Sequence, residues 1–258
     1  GIDWNWETFP EFLDAIEKKE FVMDLGFMVA HGPVRSYVMG YERCQNQVDA
    51  SEAEIGNMSK LVTDAIAAGA LGFSTSRTIL HRDIHGKYVP GTEASSEEMR
   101  ALAFAIDKAG EGTMEIVSDW LDKEIEMSWM KEYIKKSDCG LTFLQTSGDA
   151  LKTILFCEEQ FLKGKNVRPQ FPGRNVGLML GLESSLHSFI QYPAYKEIAH
   201  LPLDKRLEVM EDPDFKSKLL NQEPDFESNI ESKLADEANT KTKDELLEDA
   251  KLAIRLTS

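Results

Sequence analysis

The chain has 258 residues, with 45 Asp and Glu against 29 Lys and Arg and a formal net charge of −16 at pH 7. That acidic excess repels a nucleic-acid backbone and an anionic membrane surface, so neither is expected as a partner. A hydrophobic share of 42%, with 13 Phe and 4 Trp, supports a sizeable core and excludes disorder as the global state.

The first helix signal is Thr8-Phe9-Pro10-Glu11. Thr at the N-cap, Pro in the first turn and Glu three residues after Thr make a capping box. Phe9, Phe12, Leu13 and Ile16 then recur at helical spacing. The apolar run over 21–30, stopped by His31-Gly32-Pro33, reads as a buried strand.

The cycle then repeats. Ser51 and Glu54 form a second capping box, and Gly69 stops that helix. Residues 70–73 read as a strand that ends in Ser74-Thr75-Ser76-Arg77. Ser95 and Ser96 open a third helix, with Met99, Leu102, Ala103 and Ile106 on one side and Gly110 at its end. A strand over 113–117 closes on Ser118-Asp119. A helix over 127–136 leads to a strand over 141–144, which closes on Gln145-Thr146-Ser147. A helix starting at Ser147 or Asp149 precedes the strand over 167–171, which closes on Pro172-Gly173-Arg174.

Five short apolar strands alternating with helices predict parallel βα units with covered sheet faces. No GxGxxG follows the first strand and no GxxxxGK[ST] is present, so a nucleotide-binding sheet lacks its signals. The expected fold is α/β, a partial TIM-type (β/α)8 barrel over residues 1–198. An acidic helical extension over 199–258 belongs to the same domain. Residues 201–258 carry 15 Asp and Glu against 9 Lys and Arg, which reads as a solvated face. A polar gap over 239–243 precedes a last helix over 246–256.

Barrel enzymes carry their chemistry where strands end, and each strand here ends in polar residues. His31, Ser76, Arg77, Gln145 and Arg174 are the candidate substrate contacts. An arginine beside hydroxyls suits a carboxylate, although a structural ion pair fits Arg77 equally. His31 also reads as a hydrogen-bonded structural histidine. Gln145 orients an amide but is no base. Asp119 is a metal ligand, a general base or, by default, a helix N-cap. His81 and His85 lie in a charged loop that reads as solvated surface. HExxH, HxH, CxxC and GxSxG are all absent, so neither a complete zinc site nor a serine elbow is spelled out. Cys44, Cys139 and Cys157 form no disulfide framework and fit a reducing, cytoplasmic setting. No signal peptide and no uncharged apolar run of about 18 residues is visible.

Three segments together resemble the N-acyl-D-amino-acid deacylase (D-aminoacylase) group of the amidohydrolase superfamily. They are Gly1-Ile2-Asp3-Trp4-Asn5-Trp6-Glu7-Thr8-Phe9 with Phe12-Leu13, His31-Gly32-Pro33-Val34-Arg35 with Val38-Met39-Gly40, and Ala67-Ala68-Gly69-Ala70-Leu71-Gly72-Phe73-Ser74-Thr75-Ser76. Arg168-Pro169-Gln170-Phe171-Pro172 resembles that group's seventh-strand segment. Arg206-Leu207 with Asp212-Pro213-Asp214-Phe215 resembles the helical segment after it. The resemblance implies hydrolysis of a linear C–N amide bond in an acylated amine or amino acid, by water activated on a divalent metal, zinc. It makes the five strands the third to the seventh and the chain an internal piece of such a barrel. The other metal ligands and the catalytic Asp are then expected outside the chain, and no catalytic residue is assigned within it. The chain departs from the pattern where the fifth and sixth strands should end in His: Val117 and Gln145 stand at about those positions. A non-catalytic, amidohydrolase-fold binding protein is therefore the alternative reading.

Overall fold

The computed structural model describes residues 3–83, 85–120, 123–145, 150–174, 177, 179–184 and 187–225. The chain divides into two compact units. Of the described residues, one unit holds 3–78 and 89–173, and the other 79–88 and 174–225.

In the first unit, α1 (Phe9–Glu17) starts at Thr8 with both halves of the expected capping box made. β1 is only Val29–Ala30, much shorter than the expected strand over 21–30. Val22 and Met23 are exposed, so the earlier part of that apolar run packs against nothing that would hold it extended. His31 does not end a strand. It opens α2 (His31–Met39), with Pro33 in the first turn, where a missing N–H costs no hydrogen bond. α3 (Tyr41–Gln45) and α4 (Glu52–Ala67) follow, and Ser51 and Glu54 cap α4 reciprocally. β2 (Gly72–Arg77) runs through the hydroxyl residues expected to follow it.

Then come α5 (Ser96–Ala109), β3 (Thr113–Ser118), α6 (Lys123–Lys136), β4 (Gly140–Leu144), α7 (Ala150–Leu162) and β5 (Val167–Gln170). The start of α7 at Ser147 or Asp149 and the helix over 246–256 lie outside the described residues.

The five strands form one sheet in the order β1-β2-β3-β4-β5, and every pair is parallel. A doubly wound sheet reverses its strand order near the middle; this one never does. Crossovers between successive parallel neighbours are right-handed as a rule, which places the connecting helices on one face, where α4, α5 and α6 join the core. That is the construction of consecutive units of a TIM-type barrel, so the fold is α/β, a partial barrel.

Side chains alternate between the faces. Val29, Phe73, Met114, Leu141 and Val167 pair in one register row, and all are buried. They join one core with Met58, Val62, Ile66, Met99, Leu102, Ile106 and Met130 of the helices. The next row, Ala30, Ser74, Glu115, Thr142 and Arg168, lies on the opposite face and is mostly polar. Gly72 allows β2 and β3 to meet: a Cβ there would sit 1.9 Å from the Thr113 carbonyl oxygen.

The second unit contains α8 (Pro193–Ile198), α9 (Leu203–Glu211) and α10 (Pro213–Leu220) around Ala194, Tyr195, Ile198 and Leu219. Asp212-Pro213 separates α9 from α10. Asp212 ends α9, and its carboxylate accepts from the N–H groups of Asp214 and Phe215 at the start of α10. Arg206 donates to the Tyr195 hydroxyl (2.9 Å) and the Leu182 carbonyl (2.6 Å). Among the described residues no helix is long and apolar enough to cross a membrane.

Candidate functional site

The C-terminal ends of β1 to β4 carry most of the polar residues singled out in the sequence. His31 follows β1 directly and is 1% exposed. Its Nε2 lies 2.7 Å from Glu98 Oε1, and its Nδ1 lies 2.8 Å from the Thr75 hydroxyl. Arg35, one turn along α2, donates to the same Glu98 oxygen from Nε (2.8 Å) and to the other from Nη2 (3.3 Å). Its Nη2 also reaches the Val48 carbonyl at 2.7 Å. Gly91 packs so close that a Cβ there would sit 2.7 Å from His31 Nδ1.

Charge in this buried cluster is settled by competition. Burial pushes the Glu98 carboxyl up, but hydrogen bonds from His31 and Arg35 outweigh it and hold the group below its usual range. Burial pushes the His31 ring down, and Glu98 only partly reverses this because Arg35 and Arg77 oppose a further positive charge. Glu98 is therefore the anion and His31 the neutral ring. A carboxylate only accepts, so Nε2 carries the ring proton and Nδ1 accepts from Thr75.

Arg77 closes β2 and is equally engaged. Its Nε donates to Glu126 at 2.5 Å and its Nη1 to the Ala94 carbonyl at 2.7 Å. The other Glu126 oxygen accepts from the buried Trp129 indole at 3.1 Å. Of the two sequence readings of Arg77, the structural ion pair is the contact found. Ser76 is half-buried on the polar sheet face, in register with Val117. The Asp119 N–H donates to the Arg77 carbonyl at 3.2 Å, which continues the ladder one residue past β3. Trp120 follows in a left-handed conformation (φ 58°), with its ring edge-on to Phe143 and its indole N–H 3.3 Å from the Leu144 carbonyl. Gln145 is buried, and its backbone N–H donates to the Gln170 carbonyl. Arg174 is exposed and belongs to the second unit.

Sequence reasoning missed the partners: Glu98, Arg35, Thr75 and Glu126. One signal was available for Glu98. It is four residues before Leu102 and eight before Ile106, on the apolar stripe of α5, and an acid on a buried stripe needs a cationic or hydrogen-bonding partner.

The residues present do not fit a zinc centre. Among the described residues no three His, Cys, Asp or Glu side chains come together as ligands. Both His31 nitrogens are committed to protein partners, and Val117 and Gln145 are not ordinary zinc ligands.

No family model matches the chain. Uncharacterized proteins of Mycobacterium bovis and of two Mycobacterium tuberculosis strains are each 27% identical over 111 residues, 41% of this chain and 18% of theirs. A D-aminoacylase of Alcaligenes xylosoxydans xylosoxydans is 30% identical over 99 residues, 38% of this chain and 18% of that enzyme. The matched part is thus 18% of the length of each of these curated relatives. A crystal structure of N-acyl-D-glutamate deacylase from Bordetella bronchiseptica, complexed with zinc and a phosphonate mimic of the tetrahedral intermediate, overlaps 63% of this chain and 33% of its own. Its identity is 18% and its TM-score 0.49, a likeness too slight to transfer anything. By sequence, part of this chain resembles D-aminoacylase.

Proposed function

We propose that the whole protein is an amidohydrolase-type hydrolase that cleaves the C–N bond of a linear amide in an acylated amine or amino acid. The observation that carries this reading is the 30% identity to D-aminoacylase, found in a chain built of successive parallel βα units. Within the first unit, Ser76 and Gln145 orient the amide; Arg174, an exposed residue of the second unit, has the chemistry to take a carboxylate. His31 and Arg77 act through the scaffold: the His31 ring bonds Glu98 and Thr75, and Arg77 bonds Glu126 and the Ala94 carbonyl, so they hold the strand ends in place.

A divalent metal, zinc in the resemblance, would lower the pKa of a water for attack on the carbonyl. The described residues do not fit its ligand set. Asp119, which directly follows β3, is the candidate ligand of this chain, and the remaining ligands belong to other parts of the protein. The three cysteines are free, which suits the cytoplasm.

A second reading, a non-catalytic binding protein on the same fold, is favoured by Val117 and Gln145 standing where the resemblance calls for histidines. The test incubates the whole protein with a panel of N-acetyl-D- and N-acetyl-L-amino acids, follows release of the free amine, and measures bound metal. Amine release by metal-loaded protein is the expected result. A metal-free protein that releases no amine yet binds the same acylated amino acids in a calorimeter overturns it in favour of the binding reading.

A further inference from the structure

The cluster around His31 places a titratable ring where the charges are already balanced. Four helices and a strand contribute the charged or titratable groups around it. Arg35 comes from α2, Glu98 from α5, and Arg77 from β2 with its partner Glu126 from α6. The Cys44 thiol of α3 lies beside Arg35, and burial pushes it up, so it stays neutral. The 89–94 segment meets the ring through the Gly91 backbone, and β2 also offers the Thr75 hydroxyl and the Phe73 ring, 5.4 Å away. With a neutral His31, two guanidinium groups face two carboxylates. His31, Arg35 and Glu98 are at most 1% exposed, so solvent does little to screen a third positive charge.

We propose that His31 is an acid-sensitive latch: protonation of its Nδ1 puts an unbalanced positive charge between Arg35 and Arg77 and releases α2 from α5 and β2 at the C-terminal end of the sheet. The ring ties three elements through two contacts, one to the helix α5 and one to the strand β2, 67 and 44 residues further along the chain. Losing it therefore loosens the β1–α2 turn and the end of β2 together.

In the opened state the ring titrates near its ordinary value of 6.5, whereas in the closed state its burial holds it lower. Below about pH 6.5 the opened state takes up a proton that the closed state refuses, so opening is favoured by up to about tenfold per pH unit. Above that value the latch is indifferent to pH. Glu98, held below its ordinary 4.5, adds its own loss only at lower pH, which leaves His31 the window above it.

Hydrogen exchange on the full-length protein between about pH 7 and pH 5, corrected for intrinsic rates, reads the opening of α2 separately from that of α4. The expected result is α2 opening that rises by up to about tenfold per unit below pH 6.5 while α4 stays protected. His31→Gln keeps a donor for Glu98 but cannot titrate, and it should flatten that slope. An unchanged slope in His31→Gln, or α2 opening that ignores pH in the parent, overturns the proposal. If His31→Gln does not fold, nitrogen NMR of the parent ring decides. A neutral ring protonated at Nε2, with its titration below 6.5 and coincident with loss of α2 protection, is expected. A ring that titrates at its ordinary value overturns the latch.

Discussion

Replacing Glu98 by Gln removes one negative charge and almost no volume, so it isolates the electrostatic role of the buried cluster. Glu98 is fully buried and receives three contacts, from His31 Nε2 at 2.7 Å and from Arg35 at 2.8 and 3.3 Å. A neutral amide retains one acceptor and turns an NH2 group toward donors. Arg35, 1% exposed, is then a cation with no carboxylate, held by its Nη2 bond to the Val48 carbonyl. Its Nη1 already lacks a partner among the described residues. Removing one member of a buried pair costs about 3–5 kcal/mol because it strands the other charge. Whole domains are stable by only about 5–15 kcal/mol, so the variant should lie near the edge of folding. Urea unfolding at neutral pH measures the loss as a lower midpoint with an unchanged slope. The double variant Arg35→Met with Glu98→Leu should recover much of it, since both charges leave together. A loss below about 1 kcal/mol for Glu98→Gln, or a double variant less stable than the single one, refutes the reasoning.

Two further perturbations follow from the same packing. Gly72→Ala should prevent β2 from pairing with β3, because the new Cβ falls 1.9 Å from a backbone oxygen that cannot swing away; an unchanged melting temperature would contradict this. Arg77→Lys keeps the charge but cannot reach Glu126 and the Ala94 carbonyl together. It should cost about 2 kcal/mol in urea unfolding and leave KM for the acylated substrate unchanged, whereas a raised KM at full stability would return Arg77 to the substrate.

The parts of the fold legible in the sequence are those fixed by local chemistry. Thr8 with Glu11, and Ser51 with Glu54, announce helix starts through hydrogen bonds made within one turn. The strand count follows from apolar runs between glycines, and parallel pairing follows from their alternation with helices. What failed depended on distant partners. The run over 21–30 has a strand's composition, but only Val29 and Ala30 find β2 beside them. α6 begins at Lys123 rather than at 127, and its first turn holds Glu126, whose fixing partner Arg77 is 49 residues earlier. For the site, position was legible and role was not. The sequence marks His31 and Arg77 as strand-end residues, but nothing local says that Glu98 and Glu126 consume their donors.

Activity data on this protein must separate contact with substrate from support of the scaffold. His31 and Arg77 look like substrate contacts to a scan of polar strand ends, and substituting either should reduce activity. The structure supplies a different cause for that loss: each removes a buried tie between a strand end and a helix on the sheet's covered face. A residue that touches substrate shifts KM or kcat in a fully folded protein. A residue that holds the scaffold lowers the folded fraction and leaves the kinetic constants of the surviving molecules alone. Activity normalised to folded protein therefore separates the two. On that measure Ser76 and Gln145, rather than His31 and Arg77, should carry the effect, because both ring nitrogens of His31 and two of the Arg77 nitrogens are engaged by the protein itself.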